Sequence, residues 1–251
     1  MTHVTTTTTT TVSSRFAGPP FAVNGGYAAG LLAERLGVPG AHVQLSAPVP
    51  LDVPVEVEVD EPGARIRHRG RTLVSASPVS LLDHSHPDID FVTATLAAGS
   101  TDRAIHPFPG CFVCGPDRSD DDGMHLFAGP VDDGVVAVSW RPRPWQGDPT
   151  GTIPIRMVTA ALDCPSAFPF MRPGGMALLA SMTFEISRLP RVGEHLVVTG
   201  WNRNNEGRKF FAASAIATAD GETLARADTL WIEVAAEDLS RMAASMERDA
   251  A

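Results

Sequence analysis

The sequence predicts an α+β fold built from two copies of one unit, in each of which an antiparallel sheet wraps round a central helix. Three observations carry this. The order of elements, one helix followed by several alternating strands, occurs twice along the chain. Two segments match in pattern, LSAPVPLDVPVEVEV in the first half and FEISRLPRVGEHLVV in the second, and Gly70-Arg71 has a counterpart in Gly207-Arg208. The length of 251 residues accommodates two modules of about 120 residues. The alternative is one irregular α+β domain without duplication.

Taken in order, residues 1–14 are mostly threonine, lack the apolar core of a secretory signal, and are expected to be disordered because a polar β-branched run has no face to bury. The first unit spans 15–100. Its helix, 27–36 (YAAGLLAERL), is stopped by Gly37 and Pro39, and alternating stretches at 42–49, 53–60, 64–69 and 72–82 read as strands. The second unit spans 101–235. It opens with strands at 124–128 and 134–140, continues with a helix from Pro154 to about Cys164 with proline at its favoured first position, and ends with strands at 176–188, 195–202, 209–219 and 223–234. Residues 236–251 form a helical tail. A helix followed by antiparallel strands is stable when the sheet curls round the helix and buries it, and two such sheets can pair within one chain as a homodimer pairs them between two.

Composition narrows the function classes. A net charge of −9 argues against general nucleic-acid affinity, which is driven by counterion release onto Lys and Arg. The chain is 43% hydrophobic and 20% charged, and no apolar run approaches the roughly 18 residues of a membrane span. Three cysteines, an odd number, fit a reducing compartment better than a disulfide framework, so a cytoplasmic location is expected, with homo-oligomerisation open.

FAVNGGYAAGLLAERLG resembles the first-repeat helix of double hot-dog thioesterases, where a His-Gly-Gly or Asn-Gly-Gly turn opens the central helix. CFVCGPDRSDDDGMHLF resembles a stretch of phenylacetyl-CoA-type hot-dog thioesterases, and AALDCPSAF resembles the helix carrying the catalytic carboxylate in that group and in acyl-CoA thioesterase II. With the repeated strands, the resemblance covers nearly all of 15–234. It implies a tandem (double) hot-dog fold, no cofactor, and hydrolysis of an acyl thioester, either acyl-CoA or an acyl-carrier thioester. A helix-borne acid would activate water while backbone amides hold the carbonyl oxygen.

The residues suit that chemistry. A Gly-Gly turn at a helix N-terminus leaves N–H groups pointing outward at the positive end of the helix dipole, so Gly25 and Gly26 are candidate oxyanion donors and Asn24 an orienting group. The plainer reading is an N-cap followed by a tight turn. Asp163 is an isolated carboxylate in an otherwise apolar helix, which is costly to bury unless it is paired or faces a wet cavity. Arg156, Thr159 and Asp163 share one helix face and are expected to line a cleft. Asp163 would act there as base or nucleophile; otherwise it bonds backbone groups ahead of Pro165. The halves look complementary, because the first has the glycines but Ala33 where the acid is expected, and the second has the acid but Ile155-Arg156 in place of glycines. Tyr27, Thr159, Arg156 and Glu34 are candidate substrate contacts, and Glu34 is the rival acid. Asn24 stands where histidine is commoner in the family.

Other constellations carry less. Cys111 and Cys114, flanked by His106 and His125, lack a second such pair and read as a structural turn, so no metal is expected. Arg65, Arg67, Arg69 and Arg71 recur with period two and either meet coenzyme A phosphates or decorate an exposed hairpin tip. His84 and His86 read as part of a polar loop. There is no Gly-x-Ser-x-Gly elbow and no phosphate or dinucleotide loop. Two other readings stand beside hydrolysis: hydration or dehydration of an enoyl thioester, and non-catalytic binding of an acyl ligand.

Overall fold

The computed structural model describes residues 5–79, 85–101, 103, 106–172 and 174–250. The end of the strand expected at 72–82, and His84, lie outside them. Among the described residues the chain runs β1 (Thr6–Thr11), α1 (Gly25–Leu36), β2 (Gly40–Leu45), β3 (Pro54–Asp60), β4 (Gly63–His68), β5 (Arg71–Pro78), α2 (Phe91–Gly99), β6 (Gly129–Asp132), β7 (Val135–Trp140), α3 (Ile155–Ala167), β8 (Ala177–Ile186), β9 (Leu196–Glu206), β10 (Lys209–Thr218), β11 (Thr223–Glu233) and α4 (Ala236–Ala250).

All eleven strands join one antiparallel sheet in the order β1-β3-β4-β5-β2-β8-β11-β10-β9-β7-β6. The order repeats outward from the β2–β8 seam, since β2-β5-β4-β3-β1 on one side matches β8-β11-β10-β9-β7 on the other. Instead of two separate sheets there is one, because β2 pairs β8 from Gly40↔Glu185 to Gln44↔Ser181 and so removes an open edge from each half.

The threonine run is a strand, not a disordered tail. Thr6 to Thr11 pair antiparallel with β3 from Val59 to Pro54. The run needs no buried face, because it satisfies its backbone on the open edge of β3, and its β-branched side chains favour extended backbone. Val12, just after it, enters the core. Two further expectations shift. Residues 124–128 are not a strand; β6 begins at Gly129, where a β-carbon would collide with the Ala97 carbonyl of α2. Helix α2 itself, capped by the Asp90 carboxylate on the Val92 and Thr93 N–H groups, has no counterpart in the sequence reading.

The two long central helices lie inside the curl of the sheet. Every residue of α3 from Met157 to Ala167 is buried, as are Gly26 to Ala33 of α1. They touch each other directly because α1 presents glycine at the crossing. A β-carbon at Gly26 would strike the Thr159 carbonyl, and one at Gly30 would strike Thr159 Oγ1 and the Arg156 backbone. On its other side α3 rests on β9, where Gly200 passes the Pro165 carbonyl too closely for any side chain. Proline 154 is the N-cap of α3 and not its first residue, while Pro165 lies inside its last turn. No described helix is long and apolar enough to cross a membrane.

Candidate active site

The crossing of α1 and α3 places the N-terminus of each helix beside an acid of the other. Asn24 caps α1 by accepting the Tyr27 N–H on its side-chain oxygen at 2.9 Å, which leaves the Gly25 and Gly26 N–H groups outside the helix's own hydrogen bonds. Asp163 Oδ2 accepts the Gly26 N–H at 2.8 Å. At the other end Glu34 accepts the Arg156 N–H at 3.1 Å and pairs with the Arg156 guanidinium.

Asp163 is 2% exposed, and its Oδ1 has no hydrogen-bond partner among the described residues. Burial pushes its carboxyl up to about 7. The Gly26 hydrogen bond and the nearby Asn24 amide pull the other way, and the neighbouring Cys111 sulfur adds to the rise. Asn24 is equally buried, and its amide nitrogen lies 3.8 Å from Cys164 Sγ. The Gly25 N–H meets no acceptor among the described residues.

A cavity of about 220 Å³ opens beside this pair, with Asn24, Gly25 and Asp163 in its wall. Its apolar lining includes Phe108, Phe168, Met171, Leu179 and Trp231, and Arg172 stands exposed at its edge. Trp231 is fixed by donating its indole N–H to Ser166 Oγ at 3.0 Å. The wall also carries a sulfur cluster, Cys111, Cys114 and Cys164, with His106 alongside.

The structure therefore brings Asn24, Gly25, Gly26 and Asp163 together across the two halves, and places the other candidates elsewhere. The Gly26 N–H is spent on Asp163, so only Gly25 of the pair keeps its donor. The stripe formed by Arg156, Thr159 and Asp163 faces α1 and not a cleft, because the glycines let α1 pack directly on it; only Asp163 reaches the cavity. The Thr159 hydroxyl bonds the Ile155 and Arg156 carbonyls of its own helix. Glu34 and Arg156 neutralise each other away from the cavity. Tyr27 stacks on Phe16 with ring centroids 4.2 Å apart, and burial raises its hydroxyl above the usual range. On the hairpin, Arg65 pairs with Asp60 at 2.8 Å and Arg67 with Glu58 at 2.9 Å, so β3 carboxylates neutralise these two members of the guanidinium row that was a candidate for phosphate binding. His86 is tied to Thr223 Oγ1 at 2.7 Å.

Sequence reasoning missed Cys164 and His106 as cavity residues, and it missed Arg172 and Trp231 altogether. Cys164 directly follows Asp163, and that adjacency was the signal available; the others reach the cavity through long-range contacts that no local pattern encodes.

No family model matches the sequence, and no curated protein is similar to it in sequence. Solved structures are similar in fold. A provisionally assigned thioesterase from Novosphingobium aromaticivorans superposes with a TM-score of 0.63 at 13% identity, covering 90% of this chain and 94% of that one. The tesB protein of Mycobacterium avium subspecies paratuberculosis gives 0.62 at 13% identity over 91% and 93%. A hot-dog-fold protein of unknown function from Alicyclobacillus acidocaldarius gives 0.56 at 15% identity over 91% and 93%. Chains of this class, hot-dog proteins with thioesterases among them, share the α+β architecture described above.

Proposed function

We propose that this chain hydrolyses acyl thioesters, and that it does so as two fused hot-dog units, 15–100 and 101–235, with one composite site between their central helices. The observation that carries the reading is the Gly26 N–H bond to Asp163, which fixes a carboxylate of the second unit at the N-terminus of the first unit's helix, in the wall of a largely apolar cavity. The fold it shares with thioesterases supports the same reading; fold alone does not assign chemistry.

In this mechanism Asp163 takes a proton from a water molecule as the water oxygen attacks the thioester carbonyl carbon. Gly26 holds the carboxylate in place through Oδ2, leaving Oδ1 for the water. The Gly25 N–H, backed by the α1 dipole, faces the carbonyl oxygen as negative charge develops on it, an interaction typically worth about 3 kcal/mol per donor. The Asn24 amide orients the water or the carbonyl, in the place of the imidazole commoner in the resembled family. Collapse of the tetrahedral intermediate breaks the C–S bond, and the departing sulfur takes up the proton from Asp163. The apolar wall receives the acyl group, and Arg172 at the rim suits the phosphates of coenzyme A or of a carrier protein's prosthetic arm. Enoyl hydration is less well supported, since His106, the histidine in the cavity wall, bonds Cys114 and the Phe108 backbone and not Asp163.

The test is a panel of acyl-CoAs with purified protein, followed by release of free coenzyme A. Turnover of at least one thioester that collapses in Asp163→Ala supports the reading; turnover unchanged in that variant, or binding without hydrolysis across the panel, overturns it.

A further inference from the structure

The stretch between Gly99 and Gly129 contains no helix or strand among its described residues, yet Cys111, Phe112, Val113 and Cys114 in its middle are buried. A long irregular segment in a compact domain needs something besides secondary structure to hold it. The Phe112 N–H holds it to the Ala17 carbonyl at 2.7 Å, and its cysteines meet α3. The sulfur atoms of Cys111, Cys114 and Cys164 all lie within 4.8 Å of one another, and Cys111 and Cys164, far apart in sequence, are 3.7 Å apart. Sulfurs bound to one tetrahedral zinc ion at about 2.3 Å stand roughly 3.8 Å from each other.

A hydrogen-bond donor stands beside the sulfurs. His106 accepts the Phe108 N–H on Nδ1 at 3.1 Å, so the neutral ring carries its proton on Nε2, which lies 3.1 Å from Cys114 Sγ. An outer N–H group beside a cysteine sulfur is the arrangement found around metal-bound cysteines. The turn is held by the Gly115 N–H on the Cys111 carbonyl at 2.8 Å, and Gly115 admits no side chain, because a β-carbon there would strike the Cys111 and Pro109 carbonyls. All three cysteines line the cavity, so the open side of the sulfur triangle faces it.

We infer that Cys111, Cys114 and Cys164 form a three-thiolate site for a zinc ion, with His106 hydrogen-bonded to the Cys114 sulfur and the fourth coordination position turned toward the cavity. Three thiolates on a d10 ion favour tetrahedral zinc over the hard, oxygen-seeking cations. Binding releases the thiol protons to solvent and fastens the segment after α2 to α3, next to Asp163. This reverses the sequence expectation, which lacked a third sulfur near the CxxC; the fold supplies it.

The full chain, purified from zinc-supplemented culture under reducing conditions, is assayed for metal content and then, after chelation, titrated with cobalt(II) alone. The site predicts one equivalent of zinc per chain, and on cobalt substitution sulfur-to-cobalt charge-transfer bands with the intense visible absorption of a tetrahedral ion. Cys114→Ser abolishes these signals. His106→Ala retains them with affinity lowered about 10- to 100-fold, the usual cost of losing an outer hydrogen bond to a ligand. Should Cys114→Ser fail to fold, the wild-type cobalt spectrum decides alone. Substoichiometric zinc with no sulfur-to-cobalt bands overturns the site, and so does recovery of Cys111 and Cys164 as a disulfide from protein kept reduced. Neither readout involves a thioester, so failure here and failure of the hydrolase reading are separable.

Discussion

Helices α1 and α3 occupy equivalent places on the two sides of the β2–β8 seam, and each carries an acid that reaches the second amide of the other. Asp163 accepts the Gly26 N–H and Glu34 accepts the Arg156 N–H. The chemistry of the two junctions nonetheless diverges because of one position. At the start of α3 the second residue is arginine, whose guanidinium neutralises Glu34 where both are partly exposed to solvent. At the start of α1 it is glycine, which has no side chain to neutralise Asp163, lets the helices touch, and leaves the carboxylate buried beside a cavity. Two equivalent helix crossings thus yield an ion pair at one and a buried carboxylate beside a cavity at the other.

The sharpest way to break this comparison is to remove the acid proposed as the base. Asp163→Ala should lower kcat for thioester hydrolysis by about 10²- to 10⁴-fold, the range typical of losing a general base, with the folded state retained by circular dichroism. Next in size is the glycine at the crossing. Gly26→Ala should destabilise the chain by about 3 kcal/mol in denaturant unfolding, because its new methyl meets backbone of α3. Gly25→Ala should cost less than about 1 kcal/mol, since its nearest obstacle, 2.9 Å away, is the terminal methyl of Leu179; equal losses from the two would contradict the assigned helix contact. Glu34→Gln should cost about 1 kcal/mol, as expected for a half-exposed cap and ion pair, and leave kcat unchanged. A fall in kcat matching that of Asp163→Ala would show that the two junctions share one function. The smallest effect is expected from Thr159→Val, about 0.5 kcal/mol with unaltered KM, because its hydroxyl bonds only its own helix.

Much of the sheet was legible because alternation writes half-buried strands directly into the sequence, as in PVEVEVD of β3 and GARIRH of β4. Strand β1 was not, since six threonines carry no alternation and form a strand only because β3 offers an edge. Asp163 stood out as a lone carboxylate in an apolar helix, and the glycine turn stood out by composition. The register between the helices was invisible, so sequence reasoning aimed both glycine N–H groups at substrate when one is held by Asp163. It also aimed Thr159 and Arg156 at a cleft where α1 lies. The sulfur cluster was half legible, with the CxxC plain and its third member supplied only by tertiary packing.

A crystal structure with a non-hydrolysable acyl-CoA analogue tests the composite site most directly. The expected complex places the acyl group against Phe168, Leu179 and Trp231, the carbonyl oxygen within hydrogen-bond distance of the Gly25 N–H, and the carbonyl carbon within one water molecule of Asp163. An analogue bound with its carbonyl remote from both residues would contradict it.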